Sequence, residues 1–112
     1  LEANTRIMSQ DLAGTGVTAN VLIPGGPANT RMIPEATGFD REELVQPEAM
    51  RPPVCWLCSA DADDINGMRF IASLWDEDIP RDERIAMSGA PTAWAQIEAL
   101  GQRPKDWAQQ ER

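Results

Sequence analysis

The sequence predicts an α/β fold organised around a βαβ unit, two parallel strands joined by a helical crossover. Three observations carry this. Residues 17–23 (Val-Thr-Ala-Asn-Val-Leu-Ile) form a nearly continuous apolar run, as expected of a strand covered on both faces in a parallel sheet, and Pro24-Gly25-Gly26-Pro27 ends it abruptly. Residues 68–72 (Met-Arg-Phe-Ile-Ala) read as a second strand, entered through the turn pair Asn66-Gly67. Between the two lies a segment long enough for a crossover, with a helix opening at Pro52 or Pro53. The crossover of such a unit is expected to be right-handed.

The elements follow in order. Residues 1–13 read as a helix whose apolar face is Ala3, Ile7, Met8 and Leu12 and whose polar side is Asn4, Arg6, Gln10 and Asp11. Gly14 and Gly16 supply its stop. It carries no N-cap, so the chain is expected to open in mid-helix, as a piece of a longer protein would. Residues 28–50 read as loop with a short helix at 41–45, where Asp40 followed by Glu43 has capping-box spacing. The crossover helix runs through Val54, Cys55, Trp56, Leu57 and Cys58 to about Ala60. Residues 61–64, with three aspartates, read as a solvated turn. Of residues 73–112, only 92–100, stopped by Gly101, reads as a helix. Trp56, Trp75, Trp94 and Trp107 are expected packing anchors, and Met32, Met50, Met68 and Met87 core or lid residues.

Composition narrows the function. The 112 residues bound the chain to one small domain. A net charge of −8 excludes nucleic-acid phosphate and anionic membrane surfaces as natural partners, and no apolar run is long enough for a membrane span or a signal peptide. The chain has no His and no Tyr, and its sole lysine is Lys105, so the commonest general base is missing. Cys55 and Cys58 sit in an apolar run and are expected to be buried helix thiols in a reduced, cytoplasmic protein; their C-x-x-C spacing leaves a redox reading as a rival. Two thiols without His do not complete a tetrahedral zinc site, and Asp61, Asp63 and Asp64 lack the spacing of a calcium loop.

The strand at 17–23 running into Pro-Gly-Gly-Pro is the feature best placed for chemistry, because open α/β sheets bind ligands beyond the carboxyl ends of their strands. The stretch from Asp11 through Gly26 (Asp-Leu-Ala-Gly-Thr-Gly-Val-Thr-Ala-Asn-Val-Leu-Ile-Pro-Gly-Gly) resembles the part of the short-chain dehydrogenases/reductases where a helix ends, the sixth strand follows and Pro-Gly opens the nicotinamide-side loop. Thr30-Arg31-Met32 is similar to that family's Thr-x-Met, and residues 47–71 look like its last helix, turn and seventh strand. The ordered series covers residues 1–73.

The resemblance implies the C-terminal βαβ portion of a Rossmann-like doubly wound parallel sheet over residues 1–73, followed by a helical tail over 74–112. It implies NAD or NADP as cofactor and hydride transfer to or from an alcohol or carbonyl. Pro24 and Gly25 would shape the loop beside the nicotinamide, the backbone at Ala28 would meet the carboxamide, and Thr30 would hydrogen-bond the carboxamide or a phosphate. Residues 31–50 would be a mobile substrate lid, and residues 1–13 a helix packing on its twin in a homo-oligomer. The sequence departs from the pattern in a loop one residue longer between Pro24 and Thr30, in Pro27, which has no N–H, and in Leu74-Trp75 where Gly-Gly is frequent. The family's pyrophosphate turn, Ser and Tyr-x-x-x-Lys belong upstream of Leu1, in an N-terminal part of the same protein, so no catalytic residue is expected here and the chain alone is expected to be inactive. A non-catalytic α/β interaction module is the alternative.

Overall fold

The computed structural model describes residues 1–93 as a small α/β unit with a three-stranded mixed sheet. The elements are α1 (Glu2–Asp11), β1 (Val21–Ile23), α2 (Arg51–Leu57), β2 (Met68–Ile71), α3 (Arg81–Ser88) and β3 (Gly89–Pro91), with short 3-10 turns between them. The sheet order is β1-β2-β3. β1 and β2 pair in parallel, Val21 beside Arg69 and Ile23 beside Ile71, with α2 in the connection. This is the strand–helix–strand arrangement expected from the two apolar runs.

β1 is shorter than the run at 17–23. Asn20 and Asn66 take over the ladder bonds ahead of it: the Met68 N–H donates to Asn20 Oδ1 (3.0 Å), Asn20 Nδ2 to the Ile65 carbonyl (2.8 Å), and the Ala19 N–H to Asn66 Oδ1 (2.9 Å). Side-chain amides satisfy this backbone as a strand would, while Val17 lies more than half exposed.

The core sits on one face of the sheet. Phe70, fully buried on β2, packs with Trp56 of α2, Ala62 and Ile65, joined at its margin by Leu22, Leu57, Met68, Trp75 and Ile85. Trp56 lies 5.0 Å from Trp75 and 5.7 Å from Phe70, ring centroid to centroid. Trp56 and Trp75 are thus the packing anchors expected of them, and Met68 is a core residue. Met87, expected in core or lid, is exposed on α3. Trp94, Trp107 and most of the helix expected at 92–100 lie outside the described residues. Thr92 follows β3 in a bend, its N–H donating to the Gly67 carbonyl (2.9 Å), and Ala93 after it has φ +61°.

α1 lies against the turn that enters β2, but not with the side expected inward. Thr5 and Ser9 are buried, whereas Ile7 and Met8 are more than half exposed. The hydroxyls of the buried pair bond back to their own helix, Thr5 Oγ1 to the Leu1 carbonyl (3.2 Å) and Ser9 Oγ to the Arg6 carbonyl (2.8 Å), so the polar stripe enters the interface already satisfied. The Ser9 carbonyl accepts from Asn66 Nδ2 (2.8 Å) and Glu2 Oε2 from the Ala93 N–H (3.0 Å), tying the helix to the sheet at both ends.

The tail expected to be helical from residue 74 holds one helix, α3, and then a strand, β3, that joins the sheet antiparallel, so the sheet is mixed and not wholly parallel as expected. α3 follows Pro80 and carries Asp82 and Glu83 in its first turn, where the helix dipole favours negative charge. Arg84 lies 5.0 Å over the Trp75 ring and donates to the carbonyls of Asp76, Glu77 and Ile79. β3 pairs antiparallel with β2, Gly89 beside Phe70. A Cβ at Gly89 would fall 2.7 Å from Phe70 Cε1, so glycine is what admits this strand against the core.

Candidate functional site

β1 delivers the chain into Pro24-Gly25-Gly26-Pro27 at its carboxyl end, and the loop's first half is built by the protein's own packing. The Ser73 N–H donates to the Pro24 carbonyl (3.0 Å), carrying the parallel pairing one step past the strands. Gly25 is buried with φ +97°, and a Cβ on it would lie 2.3 Å from Ser73 Oγ and 2.4 Å from Ile71 Cγ2. Both conformation and space demand glycine, but the space is taken by the sheet and not left open to a ligand.

The second half of the loop is the open half. An isolated parallel bridge joins Ala28 to Val45: the Val45 N–H donates to the Pro27 carbonyl (3.0 Å) and the Asn29 N–H to the Val45 carbonyl (2.9 Å). That pattern needs no N–H from Pro27 and leaves the Ala28 N–H outside it. The Ala28 carbonyl accepts from the Thr30 N–H (2.8 Å) in a tight turn, which presents the Thr30 side chain at the surface. Thr30 Oγ1 accepts from the Met32 N–H (3.3 Å), and its hydroxyl proton is left to donate outward.

Asn29, Thr30, Arg31, Glu35 and Arg41 line a cleft of about 480 Å³. Arg41 closes its floor, donating to the carbonyls of Thr30 (3.1 Å) and Ile33 (2.6 Å). It reaches this position from a 3-10 turn, Arg41–Glu43, capped by the Asp40 carboxylate accepting the Glu42 N–H (2.9 Å). The cap residue is the one the sequence marks, but it bonds the N–H of Glu42. Two guanidinium groups against one carboxylate give this lining a positive balance in a chain of net charge −8. Leu44 and Val45 are buried, so the segment expected to be a mobile lid is pinned near its middle.

Of the four residues singled out from sequence, Thr30 lines the cleft, Ala28 supports it from behind, and Pro24 and Gly25 hold the strand end. Arg31, Arg41 and Glu35 join them, and nothing in the sequence marks Arg41, because its contacts span loop residues with no periodic relation.

The thiol expectation fails. Cys55 and Cys58 are both free and exposed, because α2 turns Pro53 and Trp56 inward and the cysteines fall on its other side. Among the described residues no group of three or more metal-ligating side chains assembles, and no helix is long and apolar enough to cross a membrane. No family model matches the chain, and no curated protein or solved structure matches it.

Proposed function

We propose that residues 1–73 are the C-terminal portion of a nicotinamide-dependent oxidoreductase of the short-chain dehydrogenase/reductase type, acting on an alcohol or carbonyl, and that the chain by itself is catalytically silent. The observation that supports this best is the cleft in the loop that follows β1, where Thr30 offers a hydroxyl and Arg31 and Arg41 supply positive charge. Ligands of open parallel sheets bind at this end of the strands, and a dinucleotide brings the phosphate charge that such a lining attracts. The fit is partial: the Thr30 half of the loop suits a polar, anionic group, whereas the Gly25 half is filled by Ser73 and Ile71.

When bound, NAD or NADP gives or takes the hydride. The chain's own contribution is positional. Thr30 and the Ala28 backbone orient the ring end, Arg41 stiffens the loop by holding two of its carbonyls, and the segment around Glu35 covers the substrate. The proton donor of the family is a tyrosine, and the chain has none. The reading predicts Tyr-x-x-x-Lys in the reading frame upstream of Leu1, and sequencing that frame tests it: an initiation codon close to Leu1 with no such motif ahead of it overturns the proposal.

One observation favours a second reading. α1 exposes Ile7 and Met8, with Leu1 just before it exposed as well, which suits docking on another helix. In the dehydrogenase reading that helix is its twin in a homo-oligomer. In a non-catalytic interaction module it belongs to a different protein, and the cleft then binds no nucleotide.

A further inference from the structure

Cys55 and Cys58 lie three residues apart at the end of α2, the first within the helix and the second as its C-cap residue. Residues so spaced on a helix face one another, with Cβ atoms about 5–6 Å apart. Both thiols are free and exposed. A disulfide needs Cβ atoms about 3.5–4.5 Å apart, so only a small approach separates the pair from bonding. The helix can yield at that end. Its start is stiffened by Pro52 and Pro53, whereas its finish is held by single bonds, the Cys58 N–H to the Val54 carbonyl (3.1 Å) and the Ser59 N–H to the Trp56 carbonyl (2.9 Å).

We propose that Cys55 and Cys58 form a redox site that exchanges with small organic disulfides and closes to an intrachain disulfide, unwinding the last turn of α2. In the first step the thiolate of either cysteine attacks one sulfur of the reagent. A protein–reagent S–S bond forms, the reagent's S–S bond breaks, and one thiolate leaves to take up the proton the cysteine released. The second cysteine, as thiolate, then attacks the protein sulfur of the mixed disulfide and expels the other reagent thiol. The protein dithiol loses two electrons and two protons, and the disulfide becomes two thiols. The net charge of −8 repels anionic disulfides and favours neutral ones.

The residue between the cysteines on the inner side is Trp56, which packs on Phe70 and Trp75. Closing the turn therefore moves an indole in the core, and the redox state becomes readable in tryptophan emission.

The test uses the full chain in buffers of graded 2-hydroxyethyl disulfide to 2-mercaptoethanol ratio, quenched in acid and alkylated, followed by intact mass. The expected result is a change from a doubly alkylated species to an unalkylated monomer lacking two hydrogens, with a parallel shift of tryptophan emission. Cys55→Ser and Cys58→Ser each stop at the mixed disulfide of the remaining cysteine. Adducts persisting on both cysteines, disulfide-linked dimers, or no exchange would overturn the site. Closure with unchanged emission would overturn its link to the core.

Discussion

Arg69 sits in the middle strand with 1% of its surface exposed, and its Nε and both terminal nitrogens have no hydrogen-bond partner among the described residues. Thr92 Oγ1, just past the neighbouring strand, is buried and likewise has no partner among the described residues. An arginine side chain keeps its charge through the neutral range even in such a position. Burial lowers the pKa of this guanidinium, and the charge of Glu2 pushes it back up. Because the folded state depresses the pKa, the cost of the charge is present at every pH below the folded value and is relieved only as pH rises through it, well into the alkaline range. Arg69→Met keeps the long stem and removes the charge. Replacing a buried, poorly paired charge by an apolar group of similar volume stabilises by about 1–4 kcal/mol. At about 4–8 °C per kcal/mol for a domain of this size, the midpoint rises by several degrees at least. Thermal melts and urea titrations followed by circular dichroism measure it, and the gain should be constant across neutral pH. Glu2→Gln, which removes the opposing carboxylate, should destabilise the parent chain more than the Arg69→Met variant. A loss of about 2 kcal/mol or more in Arg69→Met would refute the reasoning, since it would mean that the guanidinium has a partner whose removal is costly.

Gly25→Ala should destabilise by about 1–3 kcal/mol through overpacking against Ser73 and Ile71, whereas Gly14→Ala, also at positive φ but with nothing within 4 Å, should cost only about 1 kcal/mol; equal losses in denaturant titrations would show that crowding at Gly25 is not felt. Trp56→Ala removes the indole shared by Phe70 and Trp75 and should cost about 3–5 kcal/mol, read from the same titrations. In the complete enzyme, Thr30→Ala should weaken nicotinamide cofactor binding by about 0.5–1.5 kcal/mol, a two- to twelve-fold rise in dissociation constant measured by fluorescence titration; unchanged affinity would reduce Thr30 to a loop residue. The isolated chain should show no turnover of NADH or NADPH with a panel of ketones, and activity above blank would contradict the assignment of the proton donor to an upstream tyrosine.

Much of the strand–helix–strand unit was legible because its signals are local. The apolar run at 17–23, of which Val21–Ile23 is strand, the break at Pro24-Gly25 and the run at 68–72, of which Met68–Ile71 is strand, each state their own conformation. β3 was not legible: Gly-Ala-Pro has no period, no β-branched residue and a proline, and it is a strand only because Gly89 lets it close on Phe70. The cleft was half legible. Thr30 follows from its place after the strand, but Arg41 arrives through carbonyls of Thr30 and Ile33 that only the folded loop brings within reach.

The sequence by itself determined where α1, α2, β2 and the end of β1 lie and which of their residues share a face, since periodicity and turn chemistry are properties of the chain. The tertiary structure decided which of those faces is covered. It buried Thr5 and Ser9, whose hydroxyls α1 satisfies internally, and left Ile7 and Met8 outside. It turned Trp56 inward and so put Cys55 and Cys58 in solvent. It buried Arg69, in a run that otherwise reads as apolar strand. A face is a local fact, whereas burial depends on which neighbour arrives, and that is fixed by contacts between residues far apart in the chain.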